Sequence, residues 1–326
     1  MNSFGRPPNP AVSTAAGPKV SVLIPVFNGG PNLAECLDSI LDQDFRDLEI
    51  LMADDGSTDD SMAIAAAYAA RDSRIRHWKN PQRLGLTANS NACLRAARGE
   101  YIKYVHQDDK LLCRSCLRKM VTALDQHPSA VLAGSQVHLT GAKSRPLIFS
   151  DQTGLYEGRR MILSSLESNT NLIGQPTLSL FRKSHSHRGF DERFTGHMDF
   201  EMWCHLLEQG DFFYLAEPLA TWRVHEQQQT ARTRTSGILD QEQLLLINTC
   251  YTKPWFREAA TARLLFSQIY HLRKKYGRMA DFLTSSMMTD LSPGHYAMLW
   301  LKHKTTSPLR KFSRKLNHLA HAAKIV

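Results

Sequence analysis

The sequence predicts an α/β fold, an open sheet covered by helices, followed by a helical extension. Three observations carry that prediction. Lys19 to Phe27 is a nearly continuous apolar, β-branched run, the pattern of a strand buried on both faces of a parallel sheet. Strand-like and helix-like stretches then alternate as far as Val105, the order that βα units require. From Lys253 onward, apolar residues recur at helical spacing instead.

Taken in order, Asn28-Gly29-Gly30-Pro31 breaks the first strand, and Pro31 suits the first turn of a helix whose Leu33, Leu37, Ile40 and Leu41 share a face. Leu48 to Ala53 is a second strand, ending in Asp54-Asp55-Gly56-Ser57-Thr58-Asp59. An Ala-rich helix runs from about Asp59 to Arg71. Arg74 to Trp78 is a short third strand, and Lys79 to Gly85 a loop. Thr87 to Arg98 reads as helix, with Gly99 expected as its left-handed cap. Glu100 to Val105 is a further strand that runs into Asp108 and Asp109. Phe212 to Ala216 is a later strand, followed by Pro218.

At 326 residues and 36.9 kDa, the chain is long enough for one large α/β domain plus an extension. Its 42% hydrophobic and 22% charged content is that of an ordinary globular protein. No apolar run reaches the roughly 18 to 20 residues needed to cross a bilayer. Residues 1–18, rich in Pro, Ala, Ser and Gly, read as a disordered tail and not a signal peptide, which makes a cytoplasmic location the expectation. Six cysteines show no disulfide framework, and Cys113-Arg114-Ser115-Cys116, a lone CxxC, is expected to be structural. The formal charge of +9 is uneven: residues 251–326 carry 14 Lys and Arg against 3 acids, leaving the first 250 residues at −2.

In doubly wound sheets ligands bind outside the carboxyl ends of the strands, so Asp54, Asp55, Asp108 and Asp109 are expected to face one crevice. Adjacent acids repel, and a hard cation, a nucleotide hydroxyl or open water relieves them. For an isolated Asp-Asp a solvated turn is the plainer account; two such pairs at two strand ends favour a site. The glycine-rich dinucleotide fingerprint is absent.

Val20 to Asn28, Ala53 to Asp59, Gly85 to Asn91, Arg98 to Ile102 and Gln107-Asp108-Asp109, in that order, resemble the family 2 glycosyltransferases of the GT-A fold. The resemblance implies a Rossmann-like nucleotide-binding half within a mixed sheet, with residues 19–112 as the nucleotide-sugar half and 113–230 as the acceptor half. Residues 231–326 would then be a basic helical region. The implied reaction is inverting transfer of a sugar from a nucleotide diphosphate, UDP-linked, to a hydroxyl of a saccharide or lipid-linked acceptor. The Gln-x-x-Arg-Trp motif of the polymerising members is absent, so addition of one residue at a time is expected.

The resemblance also assigns roles. Asp109 matches the family's metal ligand, for Mn2+ or Mg2+, and Asp108 the acid that faces the ribose; where the usual motif has an earlier acid, this chain has His106. Asp55 matches the residue that reads the pyrimidine edge, with Asp54 beside it, and Pro25, Phe27 and Asn28 form the opposite wall. Arg83 is assigned to the diphosphate. Asp199, four residues before Trp203, matches the general base, and Glu201 is the second candidate; the plain alternative for Asp199 is a helix N-cap. In Trp222-Arg223-Val224-His225, Arg223 is a phosphate contact and His225 a metal or phosphate contact, with Gln227 to Thr230 opening a loop over the donor. Two other classes compete. A nucleotidyltransferase wants a basic, glycine-rich phosphate loop, and Pro25 to Gly30 holds no Lys or Arg; a non-catalytic sugar-nucleotide binder would keep Asp55 and lose the base.

Leu309, Phe312, Leu316 and Leu319 recur opposite Arg310, Lys311, Arg314 and Lys315, a basic amphipathic helix. It is expected to meet an anionic membrane surface, making the chain peripheral on the cytoplasmic face; packing on its own domain is the alternative. No nucleic-acid module accompanies the charge.

Overall fold

The first apolar run becomes strand β1 (Val20–Val26), and all seven of its residues are buried. The computed structural model describes residues 17–141, 146–147, 150–224, 238–260 and 264–270. After β1 come α1 (Gly30–Leu41), β2 (Leu48–Asp54), α2 (Ser61–Ala69), β3 (Ile75–Lys79), α3 (Leu86–Ala96) and β4 (Tyr101–Tyr104). The chain continues through α4 (Cys116–Gln126), β5 (Ala130–Gly141), β6 (Pro146–Leu147), β7 (Gly154–Tyr156) and α5 (Gly158–Ser168). A 3-10 turn (Pro176–Leu178) leads into β8 (Ser179–Arg182), then α6 (Met198–Leu207), β9 (Asp211–Val224), α7 (Ile238–Tyr251) and α8 (Pro254–Ala259). Residues 264–270 form α9.

Nine strands among the described residues make one sheet in the order β3-β2-β1-β4-β8-β5-β9-β7, with β6 on β5. β3, β2, β1 and β4 are mutually parallel. β8 runs antiparallel to both β4 and β5, and β9 is parallel to β5. The carboxyl ends of β1 to β5 and β9 therefore lie along one edge, together with the start of β8. The mixed α/β sheet is the one the sequence led us to expect.

Helices cover the faces because their apolar positions fall at i, i+3, i+4 and i+7. Leu33, Cys36, Leu37 and Ile40 of α1, and Leu117, Met120, Val121 and Leu124 of α4, are almost completely excluded from solvent. Full burial of each such side chain contributes roughly 1.5–3 kcal/mol.

Two expectations fail for local reasons. Gly99 is not a left-handed helix cap: α3 stops earlier, with Ala97 already extended at φ −69 and ψ 139. A Cβ at Gly99 would lie 2.5 Å from the Ser21 amide nitrogen, so close approach to β1 is what requires glycine there. The single helix expected from Lys253 to Tyr276 is interrupted, since α8 ends at Ala259 with Ala260 in extended backbone, and α9 follows at 264–270. Phe256 is the buried residue of α8.

The described residues of Met1–Ile162 and Asn171–Leu246 form one compact unit, and those of Leu163–Thr170 and Ile247–Val326 a second. In the second unit Gln268 donates to the Leu166 carbonyl and Ser267 to that of Glu167. The boundary expected after residue 230 lies outside the described residues, as do His225, Gln227 to Thr230 and the basic stretch at 309–319. Among the described residues no helix is long and apolar enough to cross a membrane.

Candidate active site

Parallel pairing sets the first two parts of the site side by side. β1 and β2 run in register up to Val26 opposite Asp54, and the Asp55 amide donates to the Val26 carbonyl at 2.8 Å. Asp54 turns its buried carboxylate onto the amides of Gly56 (3.2 Å) and Ser57 (3.1 Å), closing its own turn. That geometry explains Asp54 without a ligand. Asp55, also buried, accepts hydrogen bonds from the amides of Leu84 (2.6 Å) and Gly85 (2.8 Å) and from Asn80 Nδ2 (3.2 Å). It thereby anchors the loop that carries Arg83, whose guanidinium lies 4.0 Å over the Phe27 ring.

Across β1, the Phe27 backbone is gripped at both ends by one side chain. Its N–H donates to Gln107 Oε1 (2.9 Å) and its carbonyl accepts from Gln107 Nε2 (2.8 Å). Asn28, exposed and at φ +51, accepts the Thr58 amide at 2.9 Å and donates its own amide to Ser57 Oγ. Pro25 is buried in β1. The wall assigned to Pro25, Phe27 and Asn28 is thus clamped between the β2 and β4 loops.

Asp109 sits in the loop that follows β4, 3% exposed. Its Oδ2 accepts Thr177 Oγ1 at 2.8 Å, and its Oδ1 accepts the Arg223 backbone N–H at 2.9 Å. Thr177 Oγ1 in turn accepts the His106 amide at 3.1 Å. Burial, and then the charge of adjacent Asp108, push the Asp109 carboxyl up to about 7. His106 is half-buried, and its desolvation holds the imidazole below the usual range. Behind them Lys103, wholly buried in β4, donates to the carbonyls of Thr177 and Ser179, and burial lowers its ammonium to about 7. Lys103, Thr177 and Asp109 form one chain of contacts.

Arg223 does more with its backbone than a phosphate contact requires. Its guanidinium donates to the Asp108 carbonyl at 2.9 Å and to Glu35 of α1, which Lys110 also engages. Asp108 is half-buried. Among the described residues no group of three or more His, Cys, Asp and Glu could enclose a metal ion. Two adjacent carboxyls, one of them protonated near neutrality because its charge is disfavoured, nevertheless suit a hard divalent cation that completes its shell with phosphate oxygens and water. The donor set fits such an ion in the company of a diphosphate.

Asp199 stands in the first turn of α6, partly buried. Burial raises its carboxyl to about 6, against the stabilising amide of Phe200, which donates at 2.7 Å. It is not the helix cap: Glu242 of α7 accepts the amides of Thr195 (2.6 Å), Gly196 (2.9 Å) and His197 (2.7 Å). Asn171 Nδ2 lies 3.5 Å from Asp199 Oδ2 and donates to the Gly174 carbonyl, which Trp203 also holds at 2.8 Å. Three residues on from Gly174 is Thr177, so the turns that support Asp199 and Asp109 are continuous. Glu201, by contrast, is buried and held by both Arg188 nitrogens at 2.8 Å. That fork gives Glu201 a structural partner.

Thr177, Glu242 and Lys103 carry no motif of their own, and Gln107 lies in one without a role assigned to it. Only Lys103 left a signal, a lysine in the middle of an apolar strand.

A sequence profile described as glycosyl transferase family 2 matches residues 21–190. The chain is 30% identical over 245 residues to the putative glycosyltransferase EpsE of Bacillus subtilis, spanning 72% of this chain and 83% of that one. It is 27% identical over 216 residues to the GalNAc(5)-diNAcBac-PP-undecaprenol beta-1,3-glucosyltransferase of Campylobacter jejuni, spanning 64% and 66%. In fold it is similar to Staphylococcus aureus TarS 1-349 in complex with UDP-GlcNAc, with a TM-score of 0.64 at 18% identity over 81% of this chain and 75% of that one.

Proposed function

The chain belongs to the family 2 glycosyltransferases, and from that premise we propose that it catalyses inverting, one-at-a-time transfer of a sugar from a UDP-linked donor to a hydroxyl of a saccharide or lipid-linked acceptor. The observation that carries the reading is the Asp199 carboxyl, raised to about 6 and tied through Asn171 and Gly174 to the turn that holds Asp109. A base poised just below neutrality is anionic at pH 7 and still has appreciable proton affinity.

In this reading the acceptor oxygen attacks the anomeric carbon as the bond to the diphosphate breaks, and Asp199 takes the acceptor's proton. Asp55 would read the pyrimidine edge with Phe27 on the opposite wall, Arg83 would meet the diphosphate, and Asp108 would face the ribose. Asp109 would hold Mn2+ or Mg2+, which when bound offsets negative charge on the departing diphosphate. The names of the comparison proteins support the donor and acceptor classes: the TarS complex contains UDP-GlcNAc, and the Campylobacter enzyme is named for an undecaprenol-linked saccharide.

The test is thermal stabilisation by a panel of nucleotide sugars with and without Mn2+, followed by NMR assignment of the product anomer. Stabilisation by none of them, or a product that retains the donor's anomeric configuration, would refute the proposal. Peripheral attachment to an anionic membrane through 309–319 is a further part of it. Sedimentation with phosphatidylglycerol vesicles should be lost in a chain ending at Ser307; unchanged sedimentation would remove that part alone.

A further inference from the structure

Cys113 and Cys116 bracket the loop that follows Asp109, and their environments are unlike those of the other four cysteines. Cys36, Cys93, Cys204 and Cys250 are each buried, whereas Cys113 is only partly so and Cys116 is buried beside it. The two sulfurs lie 3.1 Å apart, in direct contact. Cys116 is the first residue of the eleven-residue helix α4, and the Cys113 amide donates to its Sγ at 3.2 Å. Ser115 Oγ lies 3.5 Å from the Cys113 sulfur.

We propose that Cys113 and Cys116 are a dithiol–disulfide exchange site whose co-substrates are small thiols and disulfides of the glutathione class. Position divides the work: Cys113 is the sulfur that an incoming disulfide can reach, and Cys116 is the buried partner already in contact with it. Their acidities divide it the same way. Against partial burial, hydrogen bonds from Ser115 and Cys116 and the nearby Lys119 charge lower the Cys113 thiol. Burial and its neighbour push Cys116 up to about 12. An accessible thiol of lowered pKa in contact with a buried resolving thiol at a helix start is the arrangement that favours exchange over stable mixed-disulfide formation.

The Cys113 thiolate attacks one sulfur of the small disulfide and expels a thiolate, which takes a proton from solvent. Cys116 then loses its proton and its sulfur attacks Cys113 Sγ, forming the intramolecular bond and expelling the second small thiolate, which is protonated in turn. Two electrons pass from the protein dithiol to the small disulfide, giving two small thiols and one protein disulfide. The bond removes the contact that Cys116 Sγ makes with the Leu219 carbonyl at 3.0 Å, on the strand whose Arg223 amide holds Asp109.

The test uses the full chain equilibrated in reduced and oxidised glutathione mixtures, quenched in acid, unfolded, alkylated and read by peptide mass spectrometry. The expected product is a Cys113–Cys116 peptide two hydrogens lighter and closed to alkylation, restored by dithiothreitol, with the four buried cysteines alkylated throughout. Cys116→Ser should accumulate glutathione on Cys113, and Cys113→Ser should leave Cys116 reduced. Iodoacetamide should modify Cys113 of the folded chain at least about tenfold faster than any other cysteine. Glutathione accumulating on Cys113 of the unsubstituted chain with Cys116 left reduced would overturn the proposal. So would both thiols staying reduced in mixtures that oxidise a two-cysteine peptide of the same spacing.

Discussion

Replacement of Asp199 by Asn separates what that carboxyl does for chemistry from what it does to the fold. Asn keeps the shape and an oxygen for the Phe200 amide but neither ionises nor accepts a catalytic proton. Loss of a positioned general base typically costs about 10²- to 10⁴-fold in kcat. The effect on stability has the opposite sign. Asp199 is raised from 3.8 to about 6, so between those values the folded chain binds more protons than the unfolded one, and stability falls as pH rises through that window. At about 1.36 kcal/mol per pH unit the shift corresponds to about 3 kcal/mol of destabilisation above pH 6, and partial exposure reduces it to about 1–2 kcal/mol. Asp199→Asn should therefore be more stable than the parent chain at pH 7.5, with the difference shrinking to nothing near pH 4. Parallel urea titrations at pH 4, 5, 6 and 7.5 measure it, and the parent's kcat should fall tenfold per pH unit below about 6. A variant less stable than the parent at pH 7.5, or a stability difference that does not vary with pH, would show that the carboxyl is not held in the environment described.

Three further substitutions probe its surroundings. Thr177→Val leaves the His106 amide and one Asp109 oxygen without their partner, so stability should drop by about 1–3 kcal/mol. Calorimetry should also show weaker binding of UDP in the presence of Mn2+, recovered by Thr177→Ser. Glu242→Gln removes the charge that three backbone amides share at the start of α6, and denaturant unfolding should register a loss of roughly 1–2 kcal/mol. Glu201→Gln breaks the two-pronged contact with Arg188 and should destabilise by about 1–3 kcal/mol, with kcat changed less than about threefold. A large kcat effect with unchanged stability would instead give Glu201 the role assigned to Asp199.

The nucleotide-binding half was largely legible because its signals are local. β1, β2 and β4 announce themselves as apolar runs, and the acids follow directly in the chain. What was not legible depends on residues that meet only through the sheet. Thr177 reaches Asp109 across 68 positions and Gln107 reaches Phe27 across 80, and a threonine or a glutamine in a loop carries no periodicity that betrays a partner. Glu242 looks like any acid in a helix until the amides at 195–197 are seen in front of it. Asp54 shows the reverse case, a residue that its motif marks for ligand binding and that geometry uses to close a turn. Gly99 was misread because a close backbone approach and a left-handed cap leave the same letter in the sequence.

The support of Asp109 also bears on how the protein is made. Its two oxygens are held by residues 68 and 114 positions further along the chain. A nascent chain that has delivered the first four strands from the ribosome still lacks both supports, and its paired acids remain a hydrated loop. Thr177 arrives with the turn before β8, and Arg223 one residue before β9 ends. The polypeptide thus completes the support of the Asp109 carboxyl late in synthesis, when β9 has been inserted beside β5.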